Sequence, residues 1–318
     1  MSFQSFVYSA QAQYLFKRSY AVNLGPPGQT TALQYGTLGS NPAPIRVSFD
    51  IEKNMTGASA NHSKINLFNL SQQSRTSIKK GYLVQLYGGY NTLIGLLFTG
   101  NVFIAKSERQ GSDGTIMTTL ECLDGGSAIT YAKLDKSYPA GVTIQQILSD
   151  VATAMSVATT ANPVGISAGI SLNIPSQVFN KGFVAQGACK DTLDKLLKPQ
   201  GLEWNIQNGN LNIIPIQNYD GTTAEVVSAN TGLIGVPSQN EYFTQFTSLL
   251  NPRLVPGALV QLISENTALN GYYKVRKAKY EGDSHDQKWQ VSCECTIMPN
   301  VVQTAKIGEG FDYNSAVV

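Results

Sequence analysis

The sequence predicts a mainly β protein with a small α/β insertion, in which two similar antiparallel β-barrels follow one another along the chain. Three observations predict this fold. Short apolar alternations separated by Gly, Pro, Asn and Asp turns fill both ends of the 318-residue chain. Segments with helical periodicity lie mainly in the middle. Two β-rich stretches, residues 65–124 and 247–297, share an ordered set of motifs.

The first barrel is predicted within residues 1–136, after a polar arm at residues 1–13. Ile45, Val47, Phe49 and Ile51 share one face of a half-buried strand. Ser71 is predicted to cap a short helix that stops at Gly81. The predicted strands are residues 14–24, 45–51, 65–70, 83–87, 93–98, 101–109 and 115–123.

Residues 137–222 are predicted to form the α/β module. Apolar residues at helical spacing follow Thr143, which is the predicted N-cap. A second helix is predicted over residues 187–198, where Pro199 ends it. Residues 202–207 and 211–216 should form a hairpin across Asn208-Gly209. A short strand is predicted at residues 170–174 and a linker at residues 218–232.

The second barrel is predicted within residues 223–318, with a loose tail after residue 300. Asn270-Gly271 predicts a type I′ hairpin turn, because both residues tolerate a positive φ. The predicted strands are one that ends at Leu250 and those at residues 259–264, 273–280 and 289–297.

The two β-rich stretches indicate an internal duplication. Gly81-Tyr-Leu-Val-Gln-Leu and Gly257-Ala-Leu-Val-Gln-Leu differ at one position. An Asn turn precedes each motif, at Asn69 and Asn251, and a polar Gly/Asp turn follows each. Each stretch then ends in a strand that carries Glu-Cys. We therefore expect Gly81 and Gly257, with the strands after them, to occupy equivalent positions in two superimposable barrels.

Charge and composition favour an assembly protein. Charged residues make up 14% of the chain, against about 25% in typical soluble domains. The net charge of +2 is spread without a basic run, so no nucleic-acid footprint is predicted. Residues 1–20 lack the pattern of a signal peptide, and no apolar run approaches a membrane span. The protein is therefore expected to be made and to fold in a cytoplasm.

Neither a metal nor a cofactor is predicted. The four cysteines form no CxxC pair, and the two histidines, His62 and His285, are far apart in sequence. Cys293 and Cys295 would share one face of a strand. We expect all four thiols to be buried apolar groups in a reducing compartment.

The ordered motifs resemble the central baseplate hub proteins of contractile bacteriophage tails. This is the late-control protein D group, which is related to the N-terminal part of VgrG spikes in type VI secretion. The resemblance covers roughly residues 14–298, and this sequence departs from the family in its long N-terminal region, residues 1–44, and in the tail after residue 300. It rests on Ile65-x-Leu67-x-Asn69-Leu70-Ser71 with Arg75 and Gly81, Gly89-Tyr90, Phe98-Thr99-Gly100, Glu121-Cys122-x-Asp124-Gly125, Leu250-Asn251-Pro252, Pro256-Gly257, Asn270-Gly271-x-Tyr273-x-Val275, Gly282-Asp283 and Trp289.

The resemblance implies a non-enzymatic structural virion protein, a homotrimer whose six tube-like barrels surround one lumen. The trimer would adapt the sixfold tail tube to a threefold central spike, and other baseplate subunits would adjoin it. Genomic DNA would pass through the lumen without specific binding. The implied location is the tail baseplate, assembled in the bacterial cytoplasm, with no membrane partner. The resemblance implies no catalytic, cofactor-binding or metal-binding residue.

Two other functions stay open from the residues alone. Glu203 beside Trp204, with Asp191 and Asp194, could form the carboxylate pair of a tail enzyme that degrades cell walls. A solvated helix face and an ordinary hairpin explain the same residues.

His285 with Asp283 and Asp286 could support acid–base chemistry, although a polar hairpin turn explains them equally. Trp289 could stack on a sugar in a carbohydrate-binding tail-tip protein, or it could fill a core opposite Tyr273 and Val275.

Overall fold

A computed structural model describes residues 17–28, 33–38, 43–57, 59–90, 93–112, 114–158, 165–166 and 177–298. The helices are α1 (Gln72–Ser77), α2 (Gly126–Tyr131), α3 (Ile144–Ala158) and α4 (Cys189–Leu197). The strands of the first part are β1 (Arg18–Gly25), β2 (Leu33–Gly36), β3 (Val47–Asn54), β4 (Asn61–Phe68), β5 (Leu83–Tyr90), β6 (Leu93–Gln110) and β7 (Thr115–Asp124).

The middle part contributes β8 (Lys136–Tyr138), β9 (Val142–Thr143), β10 (Gly165–Ile166), β11 (Val178–Phe179), β12 (Phe183–Ala185), β13 (Leu202–Gln207) and β14 (Asn210–Pro215). The last part contributes β15 (Asp220–Val227), β16 (Leu233–Gln239), β17 (Thr244–Leu249), β18 (Ala258–Leu262), β19 (Gly271–Asp283) and β20 (Trp289–Ile297).

The described strands of the first and last parts form one 13-stranded sheet. Its order is β16-β17-β20-β19-β3-β4-β7-β6-β5-β1-β2, with β18 also beside β19 and β15 beside β18. The pairs are antiparallel, except that β15 runs parallel to β18. The mainly β, antiparallel prediction is confirmed.

Two closed barrels in tandem are not found in the described residues. The inner half of β19 pairs with β18 of its own repeat. Its outer half pairs with β3 of the other repeat over Lys277 to Asp283. The two repeats therefore merge into one open sheet, a connection that motif order along the chain does not reveal.

Two apolar cores lie on this framework. The larger core joins side chains of both repeats, including Val22, Phe49, Leu86, Tyr280 and Trp289. The smaller core belongs to the middle part, where α3 and α4 pack beside the β13–β14 hairpin. Burial alternates along β3 and β20, because each strand sends every second side chain to the larger core.

The register shows that the repeats are equivalent strand by strand. In the first repeat, Leu83-Val84-Gln85-Leu86 of β5 faces residues 98–101 of β6. In the second, Leu259-Val260-Gln261-Leu262 of β18 faces residues 271–274 of β19. The strand order β3-β4-β7-β6-β5 of the first repeat matches β16-β17-β20-β19-β18 of the second.

A β-bulge lies at the same place in both repeats. Val102 faces Cys122, and the register shifts before Ile104 faces Glu121. Val275 faces Cys295, and the register shifts before Lys277 faces Glu294. The Glu-Cys motifs therefore stand at equivalent positions, as the repeat predicted.

The two glycines named by the repeat are also equivalent. Gly81 donates its N–H to Val102 at 2.8 Å, and Gly257 donates to Val275 at 2.8 Å. Their φ angles are 88° and 95°, in the region that favours glycine. The predicted equivalence of these positions is thus observed, although the closed barrels are not.

The repeats differ in two respects. Asn69 donates its N–H to Ile116, whereas the equivalent bond to Trp289 comes from Leu250, so the two Asn turns lie one residue out of step. Asn69 is therefore equivalent in position to Leu250, and Asn251 follows one residue later. In addition, β1 is antiparallel to β5, while β15 is parallel to β18.

Both predicted helix caps in the first and middle parts are confirmed. Ser71 accepts a hydrogen bond from Ser74 N at 3.1 Å. Thr143 and Gln146 bond reciprocally, because each side chain accepts from the other residue's backbone N–H. Asn208 and Gly209 both have positive φ in the β13–β14 hairpin, as predicted.

Three local predictions are wrong. Asn270 has φ −73° and follows a 3₁₀ turn, Thr267–Leu269, so no type I′ turn connects β18 to β19. Part of the predicted linker at residues 218–232 is strand β15, held by pairing with a distant strand. The two strands predicted around Gly100 are one long strand, β6. The predicted strand at 170–174, the arm at 1–13 and the tail after residue 300 lie outside the described residues.

Candidate assembly interface

The junction between the repeats is the β19–β3 strand pair, across which charged side chains form ion pairs. Lys277 pairs with Glu52 at 2.8 Å, and Lys279 pairs with Asp50 at 3.1 Å. Lys277 holds the pKa of the Glu52 carboxyl below its usual range through a hydrogen bond. Each ion pair is partly exposed and so contributes about 1 kcal/mol or less. The ladder hydrogen bonds and the apolar core beneath them hold the junction together.

One face of this sheet is polar. Strands β3, β4, β19 and β20 send their alternate side chains to it, and the opposite face is the larger core. Asn66 donates to Ser48 at 3.0 Å and accepts from Thr119 at 2.9 Å, so neighbouring strands are linked across this face. Charges of both signs are paired along it, including Glu281 with Lys279.

Besides the outer strands β2 and β15, two strand edges of the sheet are unpaired in the described part of the chain. One is the outer half of β6, residues 104–110, which pairs only with β7. The other is the outer side of β16, the terminal strand of the sheet. Exposed strand edges readily pair with another chain. These edges are therefore the candidate sites of subunit contact.

Two buried charged residues tie the β13–β14 hairpin to the first repeat. Lys53 and Asp124 are both fully buried. Asp124 accepts hydrogen bonds from the backbone N–H groups of Asn208 at 2.6 Å and Gly209 at 2.8 Å. Lys53 Nζ donates to Asn208 Oδ1 at 2.9 Å. The positive-φ turn that the sequence predicts is thus held by two charges from other strands.

Burial shifts the pKa values of both charged groups. It lowers the pKa of the Lys53 ammonium to about 8, an effect that Asp124 partly offsets. It raises the pKa of the Asp124 carboxyl to about 6, against the lowering effects of Lys53 and the hydrogen bonds from Gly209 and Asn208. Both charged forms are destabilised by desolvation and retained by their mutual attraction.

A second ionic cluster ties the same hairpin to β19. Glu203 binds Lys274 at 2.6 Å and Arg276 at 2.7 Å, and the Lys274 side chain is fully buried. Lys274 also donates to the carbonyl oxygen of Pro215 at 3.1 Å. Arg276 occupies the bulge position, which explains how a strand side chain turns towards the module.

These contacts also show where members of the glycosidase-like carboxylate set of the sequence analysis lie. Glu203 is held by two cations rather than presented in a cleft. Asp194 binds Lys198 at 2.7 Å and accepts from Trp204 Nε1 at 2.8 Å. The structure therefore uses Glu203, Asp194 and Trp204 in packing contacts of the module. Sequence reasoning missed the cations of Glu203, because they lie more than 70 residues along the chain.

The histidine turn is likewise engaged in local contacts. Asp283 binds Arg46 at 2.9 Å, and Asp283 Oδ1 accepts from the backbone N–H of His285. The pKa of the Asp283 carboxyl is lowered by Arg46, although its burial acts in the opposite direction and is the larger single effect. Among the described residues, no group of three or more His, Cys, Asp or Glu could hold a metal ion.

Trp289 fills the core rather than an open platform. It is 2% exposed, and its Nε1 donates to Gly89 O at 3.2 Å. Its ring lies edge-on to Phe49, with centroids 5.2 Å apart. The prediction of core filling is confirmed, but the expected neighbours are wrong because Trp289 faces Gly282 on β19.

The four cysteines are free and buried, as predicted. Burial raises the pKa of the Cys122 thiol to about 12 and that of Cys189 to about 11. It raises the pKa values of Cys293 and Cys295 as well. Inert thiols and core packing are what this environment supports. No helix within the described ranges combines the length and apolarity needed to cross a membrane.

Several solved structures share the fold of this chain. They include the 43 kDa tail protein of prophage MuSo2 from Shewanella oneidensis, at a TM-score of 0.59 and 11% identity, covering 88% of this chain and 99% of that one. The tail protein of Neisseria meningitidis MC58 gives a TM-score of 0.57 and 10% identity, covering 87% and 96%.

A third structure is the E. coli c3393 protein, a component of the type VI secretion system with structural similarity to the bacteriophage T4 tail proteins gp27 and gp5. It gives a TM-score of 0.56 and 10% identity, covering 86% of this chain and 76% of that one. A comparison with curated protein sequences gave no match. The fold is therefore that of phage tail proteins and related secretion proteins.

The particular family follows from the sequence. Residues 53–295 match the model of the family described as baseplate hub gp41. The chain belongs to the baseplate hub gp41 family and is a structural protein of the virion tail baseplate. The resemblance to baseplate hub proteins is thereby confirmed.

Proposed function

We propose that three copies of this chain form a ring that adapts the sixfold tail tube to a threefold central spike. The observation that carries this proposal is the duplication: β3-β4-β7-β6-β5 and β16-β17-β20-β19-β18 have the same order and share the bulge beside Glu-Cys. Because each chain supplies two similar units, three chains present six similar units around one axis.

The same ring would form part of the conduit for DNA ejection. The polar face of the sheet suits the lumen, because the opposite face is filled by the apolar core. Lys277 and Lys279 on that face are paired with Glu52 and Asp50. Cations that are already neutralised in this way offer DNA few of the unpaired charges that drive phosphate binding. DNA would therefore pass without being held.

The two rims of the ring would have different neighbours. The tail tube protein would contact one rim of the ring and the spike the other, with further baseplate subunits outside. The α/β module, residues 137–222 in our domain division, would lie off the ring strands because it has its own core. Assembly would take place in the bacterial cytoplasm.

Electron microscopy of assembled tails tests this function. We expect three copies of the chain between the tube and the spike, with pseudo-sixfold density where the ring meets the tube. Native mass spectrometry of the purified full chain provides an independent count. Six copies per particle, or a position outside the axis of the tail, would refute the adaptor function.

A further inference from the structure

We propose that the outer half of β6 in one copy pairs in antiparallel orientation with β16 of a second copy. The contact between chains would then repeat the β19–β3 contact that exists within each chain. This inference rests on the proposed ring and deepens it, because it names the strands and the register through which neighbouring chains meet.

The first support is the difference in burial between equivalent strand segments. Residues 277–283 of β19 alternate between buried and partly buried positions, since β3 and β20 flank them. The equivalent residues 104–110 of β6 are all exposed, and β7 is their only strand partner in the described chain. One repeat thus has its outer strand covered and the other has it bare.

The second support is the matching strand at the opposite end of the sheet. β16 holds the position in the second repeat that β3 holds in the first, since each is the outer neighbour of the equivalent strands β17 and β4. β3 uses its outer edge to bind β19. β16 has the same edge and no strand on it in the described residues. The missing partner of β16 is therefore the counterpart of β19, which is β6.

Apolar side chains mark both bare edges. Phe103 and Ile104 of β6 are 47% and 40% exposed, and Ile234 and Val236 of β16 are 41% and 66% exposed. Exposed apolar side chains that cluster at strand edges indicate an interface. A long bare edge is also a liability that proteins normally cover. Pairing β6 with β16 covers the β16 edge and residues 107–110 of the β6 edge in one contact.

Geometry requires the partner to be another copy. The two edges lie at opposite ends of the series β16-β17-β20-β19-β3-β4-β7-β6. Each chain therefore offers two different surfaces, and one fits the other head to tail. Such a heterologous contact makes a closed ring when the rotation between copies closes. The rotation between neighbouring copies would then equal the rotation between the two repeats within one chain.

The register of the β19–β3 pair within one chain predicts the register of the β6–β16 pair between copies. Glu281 faces Asp50 and Tyr280 faces Ile51 in the β19–β3 pair. The equivalent residues place Glu108 opposite Ser238 and Ser107 opposite Gln239 between copies. Residues 235–237 of β16 stand where β3 has the single residue Phe49, so the transferred register is regular on the Gln239 side of this irregularity.

Disulfide trapping tests the pairing in the full chain. Glu108→Cys with Ser238→Cys places two thiols opposite each other on neighbouring strands, at a spacing that a disulfide can bridge. Arg109→Cys with Ser238→Cys is the matched control, because a one-residue step turns the side chain to the other face. Asp50→Cys with Glu281→Cys is the positive control within one chain. The native cysteines are buried and do not compete.

After mild oxidation, we expect the Glu108/Ser238 variant to form interchain disulfides at least about tenfold more than the Arg109/Ser238 variant. Glu108→Cys alone and Ser238→Cys alone should give no covalent species. An equimolar mixture of the two single variants should give covalent dimers, since the contact is head to tail. Equal trapping in the matched and shifted variants would overturn the pairing. So would no interchain trapping while the Asp50/Glu281 pair oxidises.

The number of joined chains separates this inference from the proposed function. A closed covalent species of three chains supports both. Register-specific trapping into closed species of another size supports the strand pair and refutes the trimeric hub. Native trimers without trapping at Glu108 and Ser238 leave the hub intact and refute the strand pair. Trapping that appears only after removal of residues 300–318 would assign the edge to that tail and refute the pairing.

Discussion

Replacing Lys53 by Met should make the stability of this protein depend steeply on pH. Lys53 is fully buried, and its Nζ lies beside the hairpin turn that Asp124 holds through two backbone hydrogen bonds. Met keeps most of the side-chain volume and removes the charge. Asp124 then keeps its full desolvation cost but loses its nearest cation. Its pKa must therefore rise beyond the value of about 6 that it has with Lys53 present.

The sign of the pH dependence follows from proton counts. In the variant, the folded state keeps a proton on Asp124 above pH 6, while the unfolded state, with an ordinary carboxyl pKa, has lost it. Stability therefore falls as pH rises, with a slope that approaches about 1.4 kcal/mol per pH unit. The folded-state pKa of Asp124 in the native protein is about 6 and that of Lys53 about 8. Between those values the raised pKa of Asp124 and the lowered pKa of Lys53 contribute slopes of opposite sign, so the pair adds little net slope there.

Chemical denaturation at pH 6, 7 and 8 measures the effect. Trp204 and Trp289 report on the two cores by fluorescence. The variant should lose about 1 to 3 kcal/mol between pH 6 and pH 8 relative to the native protein. Adding Asp124→Asn to Lys53→Met should abolish the slope. Lys277→Met, at a partly exposed ion pair, should cost about 1 kcal/mol or less without a slope.

A flat profile for Lys53→Met, parallel to that of the native protein, would refute the reasoning. It would mean that Asp124 is reached by water or finds another cation. An equal slope in the Lys53→Met/Asp124→Asn variant would mean that a different group titrates.

Three further predictions follow from the same contacts. Glu203→Gln should destabilise the protein by about 3 kcal/mol, because it removes the negative charge that binds the buried Lys274 ammonium at 2.6 Å, and denaturation of this variant beside Asp191→Asn checks it. Purified native protein and the variant should both leave cell walls undigested, and digestion that depends on Glu203 would refute the structural assignment. Gly81→Ala and Gly257→Ala should each lower the free energy of unfolding by about 1 to 2 kcal/mol, because both glycines have positive φ. Gly271→Ala is the control and should lower it little. Unequal losses of stability at Gly81 and Gly257 would contradict their equivalence. A thiol reagent should label none of the four cysteines in the folded protein and all of them in denaturant, and fast labelling of Cys293 or Cys295 in the native state would contradict their burial.

Local chemistry made several elements predictable from the sequence. Ser71 and Thr143 cap helices through bonds to residues three positions away, so the neighbouring sequence contains all the required groups. Asn208-Gly209 makes its turn because both residues tolerate positive φ. The duplication was visible because the same motifs occur in the same order around Gly81 and around Gly257.

Other turns could not be read in this way. Asn270-Gly271 has the composition of a type I′ turn, yet Asn270 instead accepts a hydrogen bond from Ser264 N and follows a 3₁₀ turn. The polar stretch before residue 228 reads as a linker, yet β18 supplies the partner that makes it a strand. In both cases a contact outside the local window decided the conformation.

The sequence by itself determined the mainly β class, the duplicated strand grammar and the resemblance to baseplate hub proteins. Alternating burial, positive-φ glycines and repeated motifs are all properties of short segments. The tertiary structure alone decided that the repeats share one open sheet, because the pairing of β19 with β3 joins residues far apart in the chain. It also decided that Glu203 and Asp124 hold the hairpin, because their partners come from distant strands and only folding brings them together.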